Sequence, residues 1–372
     1  MTASFPGHPL RIAQMLESDG PGGAETMLIS LSEALRSRGH EVCPVGPAHG
    51  VGWLSARLKN AGFERETFTI RRPVDWRCVR GLIQVLRARR IEVVHSHEFT
   101  MAVYGAAAAR WLGIPHVITM HGSQYVTSKR RRRIALRWAF RSSAHVVGVS
   151  NDTTAHLISR LGLPRDAIQT IPNGVPYRPG NRALARRALG VADHEILVLA
   201  VGNLIVRKGH AQLIRALASA YPEPDVPWHL AIAGQGDQRD RLLAIAEEHG
   251  VSSRVNLLGQ RSDVFDLHAA SDIFVMPSLW EGLPLALLEA MHAGTAIVAS
   301  RTSGIPEAIT DNVDGLLTPP GDEVALRDAL VRLLPNANER ARLGAAALAR
   351  ARAKFSMDRM TDEYEALYRT PD

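Results

Sequence analysis

Short apolar runs alternate along this chain with segments whose apolar residues recur every three or four positions. In the first half, Leu10 to Leu16, Glu41 to Val45, Glu92 to His95, His116 to Met120 and Ala144 to Val149 read as strands. Residues 24–38, ending at Gly39, residues near 53–61 and a stretch opening near Asn151 read as helices. From Pro172 to Asn181, prolines and glycines crowd out both periodicities, which places a domain boundary there. The alternation then restarts. Ile196 to Val201, Trp228 to Ala233, Val255 to Leu258, Ile273 to Met276 and Ala296 to Ala299 read as strands, with helices from about Ala211 and across 237–249. Arginine-rich residues 337–354 read as an exposed helix. The pattern predicts an α/β chain of two doubly wound, Rossmann-like halves, with ligands beyond the carboxyl ends of the strands.

The loops at those ends therefore carry the candidate chemistry. Gly22 and Gly23 lie in a glycine loop that runs straight into a helix, where backbone N–H groups can approach a ligand closely. Glu25 occupies the last glycine position of the dinucleotide fingerprint, so this is not that motif, and no Walker loop is present. His97 and Glu98, and His121 with Ser123, directly follow apolar strands and are candidates for contacts to an acceptor or sugar. A zinc site would need a third ligand that the spacing does not specify, and no nucleophile-elbow sequence supports a triad. In the second half, Asn203, Arg207 and Lys208 follow one strand and Gly234 another. Arg207 by bidentate contact and Lys208 as a point charge suit a diphosphate.

Trp280 to Met291 adds two carboxylates, Glu281 at a helix entrance and Glu289 inside that helix. Pro284 suits the first helical turn, and the apolar run after it leaves Glu289 in need of a partner, which a hydroxyl-rich ligand would supply. Backbone N–H groups around Gly282 and Leu283 would face an anion in the same space. Phosphate and hydroxyls together point to a nucleotide sugar. The alternative is a helix capped electrostatically by Glu281 with Glu289 on its polar face.

At 372 residues with 46% hydrophobic content, the chain suits two globular domains. Two cysteines, Cys43 and Cys78, fit neither a disulfide framework nor a zinc site and agree with a reducing cytoplasm. The opening residues lack the order of a signal peptide, and no apolar stretch is long enough to span a bilayer, so a cytoplasmic or peripheral protein is expected. Net charge is +7, divided as +11 over residues 1–175 and −4 over the rest. The sharpest cationic run is Lys129, Arg130, Arg131, Arg132 and Arg133, leading into Ile134, Leu136, Trp138 and Phe140. This suits an anionic membrane surface, with a solvated basic helix as the alternative. No nucleic-acid signature accompanies the charge.

In order and spacing, these segments resemble the family 4 glycosyltransferases over nearly the whole chain. Gly22 to Glu25 is similar to the family's N-terminal glycine loop, His121-Gly122 to its histidine beside the donor sugar, and Ile171 to Val175 to its interdomain hinge. Arg207-Lys208-Gly209 is similar to its donor-phosphate cations, Glu281 and Glu289 to its pair of glutamates eight positions apart, and Ser303 to Glu307 to a further donor-side segment. The chain departs from the pattern at Asn203, where many members carry arginine, with Arg207 a candidate to supply that charge.

The resemblance implies the GT-B architecture, two Rossmann-like domains facing across a cleft, with residues 1–174 on the acceptor side and 175–354 on the donor side. A helix over 355–372 would pack back on the first domain. It implies transfer of a sugar, with retention, from a nucleoside-diphosphate sugar to the hydroxyl of a carbohydrate or lipid-linked acceptor, in cell-surface glycan (exopolysaccharide or lipopolysaccharide-type) or glycolipid synthesis. His121, Arg207, Lys208 and Glu281 would act at the reacting centre, and Glu289 on the ribose, with no cofactor and no metal. Its place would be the cytoplasm or the inner face of the cytoplasmic membrane. The alternatives are a nucleotide-sugar epimerase on the same general fold and a non-enzymatic sugar-binding protein, while a phosphorylase would need pyridoxal phosphate.

Overall fold

A computed structural model describes residues 8–122, 127–220 and 226–370. The chain divides into two compact units, Met1–Asn173 with Met357–Asp372, and Gly174–Ser356. Ser123, one of the sugar candidates, lies outside the described residues.

The first unit is built on β1 (Arg11–Met15), β2 (Glu41–Pro47), β3 (Glu66–Phe68), β4 (Val93–His97), β5 (His116–Met120), β6 (His145–Gly148) and β7 (Gln169–Thr170). They form one parallel sheet in the order β3-β2-β1-β4-β5-β6-β7. All residues of β4 and β5 are buried, as expected of parallel strands covered on both faces. The helices end where local chemistry stops them. Ser150 caps Asn151–Leu161 by accepting from the Thr153 N–H, and Gly162 closes that helix at φ 58°, a conformation that costs glycine least. The C-terminal helix, Met357–Arg369, is held to this unit by ion pairs from Arg38 to Asp362 and Glu365 and by a 2.6 Å contact between His40 Nε2 and Glu365 Oε1.

One face of this sheet is polar beneath that helix. Gln14 stands in register with His95 and His97 with Thr119, and His95 and His97 are two positions apart, so all four side chains share a face. All are fully buried. Tyr364 and Tyr368, one helical turn apart, supply hydroxyls to them: Tyr368 to Gln14 and His95, Tyr364 to Thr119. Burying so many polar groups is tolerable only because they satisfy one another.

The second unit repeats the plan with β8 (Ile196–Val201), β9 (Trp228–Ala233), β10 (Val255–Gly259), β11 (Ile273–Met276), β12 (Ala296–Ser300) and β13 (Leu316–Thr318). Its parallel order is β10-β9-β8-β11-β12-β13, so the winding reverses between β8 and β11. Apolar side chains from these strands and from helices His210–Ala220, Arg239–Glu248 and Glu323–Leu333 make one continuous core. The arginine-rich helix, Ala337–Lys354, is not simply exposed: Leu343, Gly344, Ala347 and Ala351 are buried. A Cβ on Gly344 would stand 2.0 Å from the Gly294 carbonyl oxygen, so glycine permits this helix to pack so tightly. Pro284 also differs from expectation, standing in extended conformation as the cap before helix Leu285–Ala293 rather than inside its first turn.

Candidate active site

In the second unit, the loops after β8 and β11 leave the sheet at its reversal point, where doubly wound sheets form a crevice. The β8 loop closes in a short turn, Val206–Lys208, and Gly209 follows at φ 72°. A Cβ there would lie 2.1 Å from the Pro277 carbonyl oxygen, so glycine lets the two loops touch. The Leu279 N–H donates to the Arg207 carbonyl at 2.8 Å and locks them together. Consequently Lys208 Nζ donates to Glu281 Oε1 at 2.5 Å, while Arg207 Nη1 stands 3.5 Å from Glu281 Oε2. Arg207 also donates to the Trp280 carbonyl at 3.3 Å and lies over the Trp280 ring, 4.4 Å from its centroid. The pair is largely withdrawn from water, with side-chain exposures of 14% for Lys208 and 7% for Glu281.

Neighbouring loops brace this arrangement. Gly234, after β9, lies against the β8 loop so closely that a Cβ would be 1.9 Å from the Gly202 carbonyl oxygen, just before Asn203. The Glu281 N–H donates to Ser303 Oγ at 3.3 Å, and the Gly304 N–H to the Gly282 carbonyl at 3.1 Å. Ser303 adopts φ 50°, a left-handed conformation that an ordinary side chain disfavours and that clusters at functional sites. His210 is buried beside Lys208, and burial first, then the lysine charge, push its imidazole down to about 4. Leu283 is buried at the entrance to helix Leu285–Ala293. Glu289 Oε2 lies 3.6 Å from Nε2 of buried His268, near it but beyond hydrogen-bond distance.

In the first unit, the glycine loop and both histidine segments end neighbouring strands. Gly22 precedes helix Gly23–Ser37, and a Cβ on it would strike Glu25 Oε2 at 2.4 Å. Glu25 is buried, which raises its carboxyl above the usual range. His97 Nε2 lies 2.7 Å from Gln14 Oε1, and its Nδ1 lies 3.1 Å from Nε2 of His121. Both ring nitrogens of His97 are thus engaged within the protein. Burial holds His97 well below its ordinary value and brings His121 down to about 4, so both are neutral near pH 7. Glu98 Oε1 accepts the His121 N–H at 3.0 Å, and Glu98 itself has φ 63°. Burial pushes the Glu98 carboxyl up to about 7, and the nearby Glu25 charge adds to that, outweighing the His121 N–H. Among the described residues, no group of three or more His, Cys, Asp or Glu side chains is arranged to hold a metal ion.

The basic run divides. Lys129 precedes helix Arg130–Arg141, and Lys129, Arg130 and Arg131 are exposed. Arg132 turns back over the Phe99 ring at 5.4 Å, and Arg133 Nη1 donates to the Thr127 carbonyl at 3.4 Å, so the run is not a uniform cationic surface. Leu136, Ala139 and Phe140 are buried, while Ile134 and Trp138 are 60% and 43% exposed. Among the described residues, no helix is long and apolar enough to cross a membrane.

Sequence reasoning did not single out Gln14, His268, His210, Tyr364 or Tyr368. Gln14 alone left a signal, an amide in the middle of an apolar strand.

Residues 21–178 match the family described as Glycosyltransferase Family 4, and residues 181–350 the one described as Glycosyl transferases group 1. A D-inositol 3-phosphate glycosyltransferase of Saccharomonospora viridis is 32% identical over 302 residues, covering 75% of this chain and 70% of its own. A UDP-Gal:alpha-D-GlcNAc-diphosphoundecaprenol alpha-1,3-galactosyltransferase of Escherichia coli is 29% identical over 272 residues, 70% of each chain. Among solved structures, Anabaena HepE in complex with UDP-glucose superposes with a TM-score of 0.82 at 24% identity, over 96% of this chain and 98% of that one.

Proposed function

The chain belongs to the family 4 glycosyltransferases, enzymes of GT-B fold that use nucleotide sugars, and from that premise we propose a retaining, metal-independent transfer to a membrane-presented acceptor. The observation that carries the reading is the convergence of Lys208, Arg207 and Glu281 at the reversal point of the second sheet. Departure of a nucleoside diphosphate concentrates negative charge on the leaving oxygens. Two cations fixed in advance stabilise that charge more in the transition state than in the ground state. In this reading the diphosphate takes Lys208 and Arg207, Glu281 then orients the sugar, and Glu289 accepts from the ribose hydroxyls. His121 meets a sugar hydroxyl. The bond from the anomeric carbon to phosphate breaks as the bond to the acceptor oxygen forms on the same face, and the acceptor proton passes to the leaving phosphate. No cofactor enters, and protein cations stand where a metal would otherwise neutralise charge.

The E. coli relative acts on an undecaprenol-linked substrate, and the solved neighbours include proteins of lipopolysaccharide biosynthesis; these support a lipid-linked acceptor in cell-surface glycan synthesis. Exposed Ile134 and Trp138 among exposed Arg130, Arg131 and Arg137 support docking of this helix on an anionic bilayer.

The tests are direct. A panel of nucleoside diphosphates should raise the melting temperature selectively for one base, since ligand at about 100 times its Kd adds about 2.7 kcal/mol. The matching sugar nucleotide should glycosylate an undecaprenyl-diphosphate sugar acceptor in the presence of EDTA, with the anomeric configuration preserved by NMR. An inverted product, or turnover abolished by EDTA and restored by a divalent metal, overturns the mechanism. Sedimentation with vesicles containing phosphatidylglycerol should fall when Ile134 and Trp138 are changed to Ser. Unchanged sedimentation removes the membrane proposal.

A further inference from the structure

Among the described residues, the buried polar network of the first unit leaves one ring nitrogen over at the carboxyl end of β5. Gln14 turns its Oε1 to His97 Nε2 at 2.7 Å and its amide nitrogen to the Tyr368 hydroxyl at 3.2 Å. An amide nitrogen only donates, so the Tyr368 oxygen accepts from Gln14 and its own proton goes to His95 Nδ1. The 2.6 Å separation there agrees, being shorter than the roughly 2.7–3.2 Å of an N–H donor and natural for a hydroxyl donor. His95 then carries its proton on Nε2 and donates to Thr119 Oγ1 at 2.8 Å. On the other side of Gln14, its oxygen only accepts, so the proton of neutral His97 sits on Nε2. His97 Nδ1 is therefore a bare lone pair, 3.1 Å from His121 Nε2. Two lone pairs cannot hold such a contact, so His121 carries its proton on Nε2. Among the described residues, none is bonded to His121 Nδ1.

We propose that Gln14 and His97 are positioning residues that hold His121 in its Nε2–H tautomer, so that its Nδ1 accepts a hydrogen bond from a hydroxyl of the sugar substrate. A substrate group without a proton to give, an ether or carbonyl oxygen or a phosphate, finds no donor at that nitrogen. Selection for a free hydroxyl then follows from an amide in β1 and a tyrosine in helix Met357–Arg369, both buried. The ligand half of this proposal rests on the reading of His121 as a sugar contact, while the tautomer half does not.

Long-range proton–nitrogen NMR of the full chain, labelled with ¹⁵N-histidine, distinguishes a protonated ring nitrogen from a bare one. At pH 7 both His97 and His121 should be protonated on Nε2 alone. His121 protonated on Nδ1, or on both nitrogens, overturns the proposal. His97→Asn, whose amide oxygen can stand in for Nδ1, should keep the His121 pattern, and His97→Leu should give a mixture of tautomers. An unmixed Nε2–H form in a folded His97→Leu variant refutes the positioning role. If the leucine variant does not fold, Gln14→Glu decides: a carboxylate draws a second proton onto His97, whose Nδ1–H then turns His121 over to its Nδ1–H form. A His121 unaltered by that change refutes the relay. Adding UDP-, GDP-, ADP- and dTDP-sugars should shift His121 Nδ1 upfield for the bound donor. A nucleotide sugar that perturbs His210, beside Lys208, but leaves His121 Nδ1 unmoved refutes the hydroxyl contact and spares the donor reading. If neither histidine responds to any member of the panel, the donor reading falls, and the hydroxyl contact with it.

Discussion

Replacing Lys208 by alanine separates structure from catalysis at the centre of the second unit. The ammonium lies 2.5 Å from Glu281 Oε1, with the carboxylate almost wholly withdrawn from water. Removing one member of a fully buried pair costs about 3–5 kcal/mol, because the other charge is left uncompensated. Here Arg207 Nη1 remains 3.5 Å from the second carboxylate oxygen, and Lys208 keeps some contact with solvent, so the loss should be nearer 1–3 kcal/mol. For a unit of this size that lowers the melting temperature by about 2–4 °C for each kcal/mol. Catalysis should suffer more. If the lysine meets charge that develops only as the diphosphate departs, turnover falls about 10²–10³-fold, the loss found when one preorganised donor is removed. Lys208→Arg should restore most of the stability and only part of the rate, since a planar fork does not reproduce a point charge. The assay pairs differential scanning fluorimetry with chromatographic measurement of released nucleoside diphosphate. A Lys208→Ala enzyme that is destabilised yet turns over at the wild-type rate would reduce Lys208 to a structural partner of Glu281.

Glu98→Gln should stabilise the protein at alkaline pH: a carboxyl raised from 4.5 to about 7 penalises the folded state increasingly as pH climbs through that interval and constantly above it. Denaturant titrations should show no difference below pH 4.5 and a gain of at most about 3 kcal/mol at pH 8; a gain that is largest in acid contradicts the assignment. Gly234→Ala must move the Gly202 carbonyl, 1.9 Å from the new methyl, so thermal melts should show a loss of about 1–3 kcal/mol together with weaker nucleoside diphosphate binding. A variant that melts and binds as wild type would show that the β8 and β9 loops part freely. Tyr368→Phe should cost about 1–3 kcal/mol in urea unfolding by stranding the Gln14 amide and His95 Nδ1, and a neutral result would mean that the buried face has found other partners.

What could be read beforehand divides along physical lines. Strands such as His116–Met120, Ile196–Val201 and Trp228–Ala233 announce themselves because burial on both faces demands mostly apolar runs. Glu66–Phe68, Gln169–Thr170 and Leu316–Thr318 are too short for any period to show, and they were missed. Lys208 and Glu281 were legible as candidates because each follows a strand of one sheet, and a strand's carboxyl end is an address in space. Their mutual contact was not, for it depends on Gly209 pressing against Pro277. The nearness of His268 to Glu289 was not legible either, since His268 lies on another helix and nothing local links them. The network around Gln14 is further beyond pattern, since Tyr368 comes 354 residues later.

That last separation has a consequence for biosynthesis. A ribosome makes strands β1–β7 of the first unit early, yet the tyrosines that satisfy Gln14, His95 and Thr119 emerge only after residues 174–356. Through the whole translation of residues 174–356, a complete and contiguous unit of its own, the earlier sheet must wait with an uncovered polar seam. Premature termination anywhere before Tyr364 thus leaves a nascent chain whose older half never closes, whatever the condition of the younger one.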